Sequence, residues 1–223
     1  MRRAVPLAED CYYHIYNKSI ASFKIFLNNN EYLRMFNLIR YYQMHAAHPS
    51  YSQFYTSCGG SNRAHESGIA DLRESLPKIV DIVAYCLMPT HVHFILRQLT
   101  ENGISTFMRL VSNSYSKYFN IKHKRKGPLW QGRFQNKLVG SDEQMYHLTR
   151  YIHLNPVTAG TARKPQDWKY SSYLEYISGK NTAPVVCDYS PIVDIRKDSY
   201  KMFVEDQIEY QKELSLIKNI IFE

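Results

Sequence analysis

His91 and His93 stand two residues apart in Met-Pro-Thr-His-Val-His-Phe-Ile, residues 88–95, a run with the character of a β-strand. A strand turns alternate side chains to the same face, so the two imidazoles are neighbours on one wall, while Val92, Phe94 and Leu96 face a core. Paired neutral imidazoles are good ligands for a divalent cation. A His-x-His pair also occurs on half-exposed strands with no ligand at all, so the pair acquires meaning only from what accompanies it. Further along, His147, Tyr151 and Asn155 recur every four residues and form one polar stripe on a helix, beside the apolar positions Met145, Leu148 and Ile152. Between the two lies Lys122-His123-Lys124-Arg125-Lys126-Gly127, followed at once by Pro-Leu-Trp-Gln-Gly-Arg-Phe-Gln at 128–135. A basic run is often only a solvated loop. Here it abuts Trp130, Arg133 and Phe134, a mixture that suits phosphate contacts beside base stacking. Lys122, Lys124, Arg125, Lys126, Trp130 and Arg133 are therefore the candidate nucleic-acid contacts.

The elements that must position these groups can be traced along the chain. Tyr-Tyr-His-Ile-Tyr-Asn-Lys at 12–18 alternates as a first strand, and a helix over about 30–45 is opened by the asparagines at 28–30. Residues 46–75, rich in serine and glycine, read as a long loop insertion, with His45, His48, His65 and Cys58 in or near it at no zinc-binding spacing. A strand at 78–87 and the histidine strand at 91–98 form a hairpin around Met88-Pro89-Thr90. Cys86 precedes that turn in an apolar run and reads as a small core residue rather than a third ligand. Helical spacing of Ile104, Phe107, Met108, Val111, Tyr115 and Phe119 gives a helix over 103–120, with Tyr115 on its buried stripe. After a short strand at 134–139, Ser141 or Asp142 caps a helix that should stop near Asn155, because Pro156 disfavours helical geometry just before it. His153 points away from the polar stripe and reads as structural. Trp168, Tyr170, Tyr173 and Tyr176 form an aromatic patch, residues 180–198 read as a loop, and 199–220 as an amphipathic helix.

The totals set limits on function. A chain of 223 residues makes one large domain with room for an appendage. Its 28 basic and 20 acidic residues leave a net charge of +8, which suits a polyanionic partner. Cys11, Cys58, Cys86 and Cys187 show no paired spacing, as expected of reduced thiols in the cytoplasm. No segment approaches the length of a membrane span.

The motifs Met-Pro-Thr-His-Val-His at 88–93, Leu-Trp-Gln-Gly-Arg-Phe at 129–134 and Tyr-Ile-His-Leu-Asn-Pro-Val at 151–157, in that order, resemble the REP-associated tyrosine transposases. These are relatives of the single-tyrosine insertion-sequence transposases within the His-hydrophobe-His nucleases. The resemblance covers roughly residues 10–178; the 46–75 insertion and the tail fall outside it. It implies an α+β fold, a ferredoxin-like βαββαβ core with a four-stranded antiparallel sheet and a tyrosine-bearing helix near it, to which the tail's own pattern adds a helical C-terminal extension. The chain is thus expected to divide into a catalytic domain, 1–178, with the 46–75 insertion, and an extension, 179–223. The resemblance further implies that His91 and His93 bind Mg²⁺ or Mn²⁺, that Asn155 is a further ligand, and that Tyr151 is the nucleophile. His147 then acts as proton acceptor or orients the helix. The implied reaction is cleavage and rejoining of single-stranded, hairpin-forming repeat DNA through a 5′-phosphotyrosine, and a second copy of the chain is a candidate partner.

Two other readings compete. A non-catalytic DNA-binding regulator descended from a transposase would keep the basic, aromatic segment, yet it has no physical need of Tyr151, Asn155 and both histidines together. A small-molecule metallohydrolase would need a third strong ligand and a general base, which the sequence does not display.

Overall fold

A computed structural model describes residues 6–44, 49–59, 62–178, 186–188 and 197–213. Its centre is a four-stranded antiparallel sheet of β1 (Tyr12–Lys18), β2 (Val80–Met88), β3 (His91–Gln98) and β4 (Gln135–Val139), in the order β2-β3-β1-β4. With α1 (Asn29–Tyr42) between β1 and β2, and α4 (Gly103–Lys122) between β3 and β4, this is the ferredoxin-like βαββαβ arrangement. The histidine strand is thus central. The tight Pro89-Thr90 connection fixes the β2–β3 register, setting Met88 opposite His91 and Cys86 opposite His93.

Strand alternation divides the interior in two. Tyr13, Ile15, Val92, Phe94 and Leu96 pack under α1 and α4. Val83, Ala84, Cys86 and Ile95 point the opposite way, beneath α5 (Asp142–Thr158), α6 (Tyr173–Ser178) and α7 (Lys197–Glu205). Both histidines share this second face. Apolar burial of two faces explains why β2 is a continuous hydrophobic run with every residue buried. Its free edge is closed by the chain after α5: Leu87 N–H donates to Tyr170 O and Ser172 N–H to Tyr85 O.

Helix starts follow the side chains expected of them. Asn28 accepts from Glu31 N–H at α1, and Ser141 accepts from Gln144 N–H at α5. The α5 helix runs past the expected stop at Asn155, with Pro156 inside its last turn. The helix nevertheless ends two residues beyond the ring, where Ala159 N–H closes on Asn155 O and Thr161 caps the Pro156 carbonyl. The segment read as a loop insertion instead carries two helices, α2 (Tyr51–Ser57) and α3 (Asn62–Ser75). Ser50 and Gln53 form a capping box, Tyr51 and Ile69 are buried, and Arg40 of α1 pairs with Glu66 at 2.8 Å. Of the expected C-terminal helix, α7 and a further helical stretch at 208–213 are seen; 214–220 and most of the 180–198 loop lie outside the described residues. Among the described residues no helix is long and apolar enough to cross a membrane.

Candidate active site

Three strands and one helix converge on the sheet face that carries the histidines. In the antiparallel register, β1 sets Lys18 opposite His91, Tyr16 opposite His93 and His14 opposite Ile95, so Lys18, Tyr16 and His14 share that face. Pairing with β4 adds Lys137 beside His14 and Gln135 beside Tyr16. The rings of His91 and His93 are 5.0 Å apart, edge to face. Over them lies α5, whose Tyr151 ring meets His93 edge-on at 5.9 Å and His14 at 6.2 Å. Tyr151 also lines a hollow of about 260 Å³ with His14, Lys137, Gln144 and Leu148.

His14 was not singled out by the sequence, although it sits in the alternate set Tyr12, His14, Tyr16, Lys18. Its Nε2 is 2.9 Å from His93 Nδ1, and the two rings stack. On the other side, His91 Nδ1 is 2.9 Å from Thr90 Oγ1. Burial lowers His91 and His14 to about 4 each, with Lys18 adding to the first and Lys137 to the second. His93, buried deepest, is held well below the ordinary imidazole range by desolvation and by His14, His91 and Lys18. All three imidazoles are therefore neutral near pH 7. Tyr151 is 43 % exposed, yet the sheltered setting of its hydroxyl raises the phenol above 10.0, partly countered by a hydrogen bond with the Asn155 side chain.

The fit to a divalent cation can be judged from the atoms left unclaimed. The Nδ1 atoms of His91 and His93 are engaged as above, and neither Nε2 bonds to a described residue. The amide nitrogen of Asn155 is buried with no hydrogen-bond partner among the described residues. The amide oxygen is the atom of this side chain that could face a cation. Among the described residues no three His, Cys, Asp or Glu side chains converge as a cation site. A cation here would therefore have two imidazoles and one amide from the protein, leaving positions for water and phosphate oxygens. Cys86, opposite His93, is wholly buried with its thiol pushed up by desolvation, in keeping with a core role.

The remaining candidates are placed unevenly. His147 is not gathered with Tyr151: its Nδ1 lies 2.8 Å from Arg150, and its ring faces Phe203 of α7 at 6.1 Å. Lys122 and His123 turn inward onto the inaccessible carboxylate of Glu31, at 2.9 Å and 2.7 Å. There burial pushes the Glu31 carboxyl up, but the Leu27 N–H, Lys122 and His123 outweigh it and hold the group below its usual range. Arg125 bonds to Asn120 and to the Pro128 carbonyl. Lys124 and Lys126 are exposed. Trp130 and Arg133 lie beside β1 at its Lys18 end, where Gln131 N–H donates to the Lys18 carbonyl. Lys18 and Lys137, flanking the histidines, are isolated cations that belong to no basic run in the sequence. His153 is buried between Tyr200 Oη (2.7 Å) and Ser172 Oγ (2.8 Å), a structural role.

Residues 73–155, which span β2 to the tyrosine end of α5, match the family described as IS200-like transposases. Within that class the particular likeness is to REP-associated tyrosine transposases, as the three motifs implied. A Haemophilus influenzae protein provisionally given that name is 30 % identical over 104 residues, which are 42 % of this chain. The chain spans 58 % of that relative's length. A solved REP-associated tyrosine transposase bound to a REP hairpin superposes with a TM-score of 0.54 over 86 % of this chain and 96 % of its own, at 17 % identity. That superposition establishes the shared fold.

Proposed function

We propose that this protein is a metal-dependent DNA transposase that cleaves and rejoins single-stranded, hairpin-forming repeat DNA through a covalent 5′-phosphotyrosine. The observation that carries the reading is the meeting of Tyr151 with His93 on one sheet face, 5.9 Å between rings, beside Asn155, whose amide nitrogen is buried without a partner among the described residues. The family match and the hairpin carried by the similarly folded transposase support DNA of that kind as the substrate.

His91, His93 and Asn155 would hold Mg²⁺ or Mn²⁺, and a bound cation supplies Lewis-acid stabilisation of charge on the phosphate oxygens. Imidazole ligands favour Mn²⁺ of the two. A histidine that ligates through Nε2 carries its proton on Nδ1, so His93 would donate to the neutral His14, which fixes the ring and its tautomer. Lys18 and Lys137 draw the phosphate toward the wall. Tyr151 Oη attacks phosphorus in line; its bond to phosphorus forms as the bond to the 3′-oxygen breaks. The phenolic proton passes to solvent, and the departing oxygen takes up a proton to leave a 3′-hydroxyl. The phosphotyrosine ester conserves the cleaved bond, so attack by another 3′-hydroxyl rejoins DNA without ATP. Lys124, Arg125, Lys126, Trp130 and Arg133 extend the DNA contact, whereas Lys122 serves the fold through Glu31. His147 is assigned to positioning α5 through Arg150. Residues 1–178 form the catalytic unit and 179–223 an extension that docks on α5 through Tyr200.

Incubating the protein and a Tyr151→Phe variant with labelled hairpin DNA and Mn²⁺ tests this. The parent is expected to give a denaturant-resistant protein–DNA adduct and the variant none. Cleavage by the variant at the parent's rate refutes the nucleophile. Salt-sensitive binding without any adduct makes the protein the non-catalytic regulator instead.

A further inference from the structure

Tyr146, Arg150 and His153 recur at helical spacing on the flank of α5 turned away from Tyr151 and Asn155, and α7 lies against that flank. Phe203 of α7 is the centre of the contact. The Arg150 guanidinium lies over its ring at 4.3 Å, and the Tyr146 ring meets it edge-on at 6.5 Å. His147, 2.8 Å from Arg150, closes the group with its ring 6.1 Å from that of Phe203.

One turn earlier on α7, the buried Tyr200 sets its hydroxyl 2.7 Å from His153 Nδ1. The other nitrogen of that imidazole is 2.8 Å from Ser172 Oγ, which accepts from Tyr85 N–H of β2 at 2.9 Å. A line of bonds thus runs from the sheet through α5 to α7, and it crosses α5 midway between Tyr151 and Asn155. A second tie runs through α6: Tyr176 Oη donates to Val83 O of β2 at 2.7 Å, and its ring packs on Tyr200 at 4.8 Å. The tyrosine itself has no such support. Its half-exposed ring meets His14 and His93 edge-on at 6.2 Å and 5.9 Å, so the place of its hydroxyl is set by the helix that carries it.

We infer that Phe203 and Tyr200 are positioning residues for strand cleavage: α7 holds α5 at the height and rotation from which Tyr151 Oη meets phosphorus in line. In-line attack tolerates little error, and a displacement of about 1 Å can cost about a hundredfold in rate. Phe203 acts by gripping Arg150, and Tyr200 by fixing His153 against the sheet. The inference rests on the transposase reading above. It adds that two residues beyond the 73–155 family match govern the rate of the chemical step through the helix they brace.

The test uses the full-length protein and its Phe203→Ala, Phe203→Tyr and Tyr200→Phe variants, with saturating Mn²⁺ and labelled hairpin DNA. The single-turnover rate of adduct formation is expected to fall about tenfold to a hundredfold in Phe203→Ala and Tyr200→Phe. Phe203→Tyr, which keeps a ring under Arg150, should recover the rate. Hairpin affinity in chelator should match the parent in all three, so the loss lies in the step after binding. Hydrogen exchange in chelator gives a reading that needs no activity: α5 amides of Phe203→Ala should exchange about tenfold faster, with α1 and α4 as in the parent. A contact that only adds stability would lower the melting temperature and leave the rate below the melt unchanged. A parental rate in folded Phe203→Ala or Tyr200→Phe overturns the inference and leaves the transposase reading intact. So does a rate loss that Phe203→Tyr shares, or one matched by an equal loss of hairpin affinity. A parent that forms no adduct overturns both.

Discussion

Replacing His14 with alanine removes the only group among the described residues bonded to His93 Nδ1, a contact of 2.9 Å on a residue that is 6 % exposed. Two effects follow, and they can be measured apart. Without metal, a buried imidazole N–H loses its acceptor, which costs about 1 to 3 kcal/mol and lowers the melting temperature by about 2 to 12 °C for a chain of this size. With metal, His93 is no longer held in the tautomer that frees Nε2 or in its orientation, and Mn²⁺ affinity falls about tenfold to a hundredfold. His14→Gln keeps an acceptor oxygen within reach of the site and should recover most of the Mn²⁺ affinity, since His14 is lowered to about 4 and works as a neutral acceptor. Electron paramagnetic resonance of free Mn²⁺ during titration reads the affinity, and thermal melting in chelator reads the stability. A folded His14→Ala protein whose Mn²⁺ affinity stays within about twofold of the parent refutes the positioning role, because a merely structural contact moves the melt and not the titration.

Acid sensitivity should report on His153. Burial lowers this histidine to about 3, whereas in the unfolded chain it titrates near its ordinary 6.5. Between those values the unfolded state binds the extra proton, so the contribution of His153 is complete above about pH 6.5 and is lost as pH falls toward 3. His153→Gln should therefore flatten the dependence of urea-unfolding free energy on pH by about 1.4 kcal/mol per pH unit over the middle of that window, and an unchanged slope contradicts the assignment. The basic run should divide by function: Lys122→Ala loses stability through the buried Glu31 and keeps the salt dependence of DNA binding, while Lys126→Ala keeps stability and reduces the slope of log affinity against log salt by about 1. Equal effects of the two substitutions on both measurements would mean that Glu31 does not divide the run.

What was legible in the sequence was what short-range rules determine. Strand alternation set His91 and His93 on one face, and spacing by four with a serine cap placed Tyr151 and Asn155 on a helix. The 46–75 segment misled because its serines and glycines outweigh a few apolar residues; Tyr51 and Ile69 acquire their meaning only from burial in the fold. Charge runs carry the same ambiguity. Nothing within residues 122–127 says that Lys122 and His123 turn inward, because the carboxylate that draws them in belongs to α1, 92 residues from His123.

His14 shows where local rules stop. Its alternation with Tyr12, Tyr16 and Lys18 is plain, but alternation leaves open which face of which neighbour those side chains meet. Only the β1–β3 register, Tyr16 opposite His93, brings His14 against His93 across 79 residues of chain. A shift of one residue would turn Tyr13 and Ile15 onto that wall and bury His14 under α4. The hydrophobic face of β1 therefore fixes the register that assembles the site: Ile15 and Tyr13, by requiring the core, oblige His14 and Lys18 to face the histidines and the tyrosine helix. The polar face of an edge-adjacent strand is thus where further participants in such a site are to be sought, once the apolar face has declared which way the strand lies.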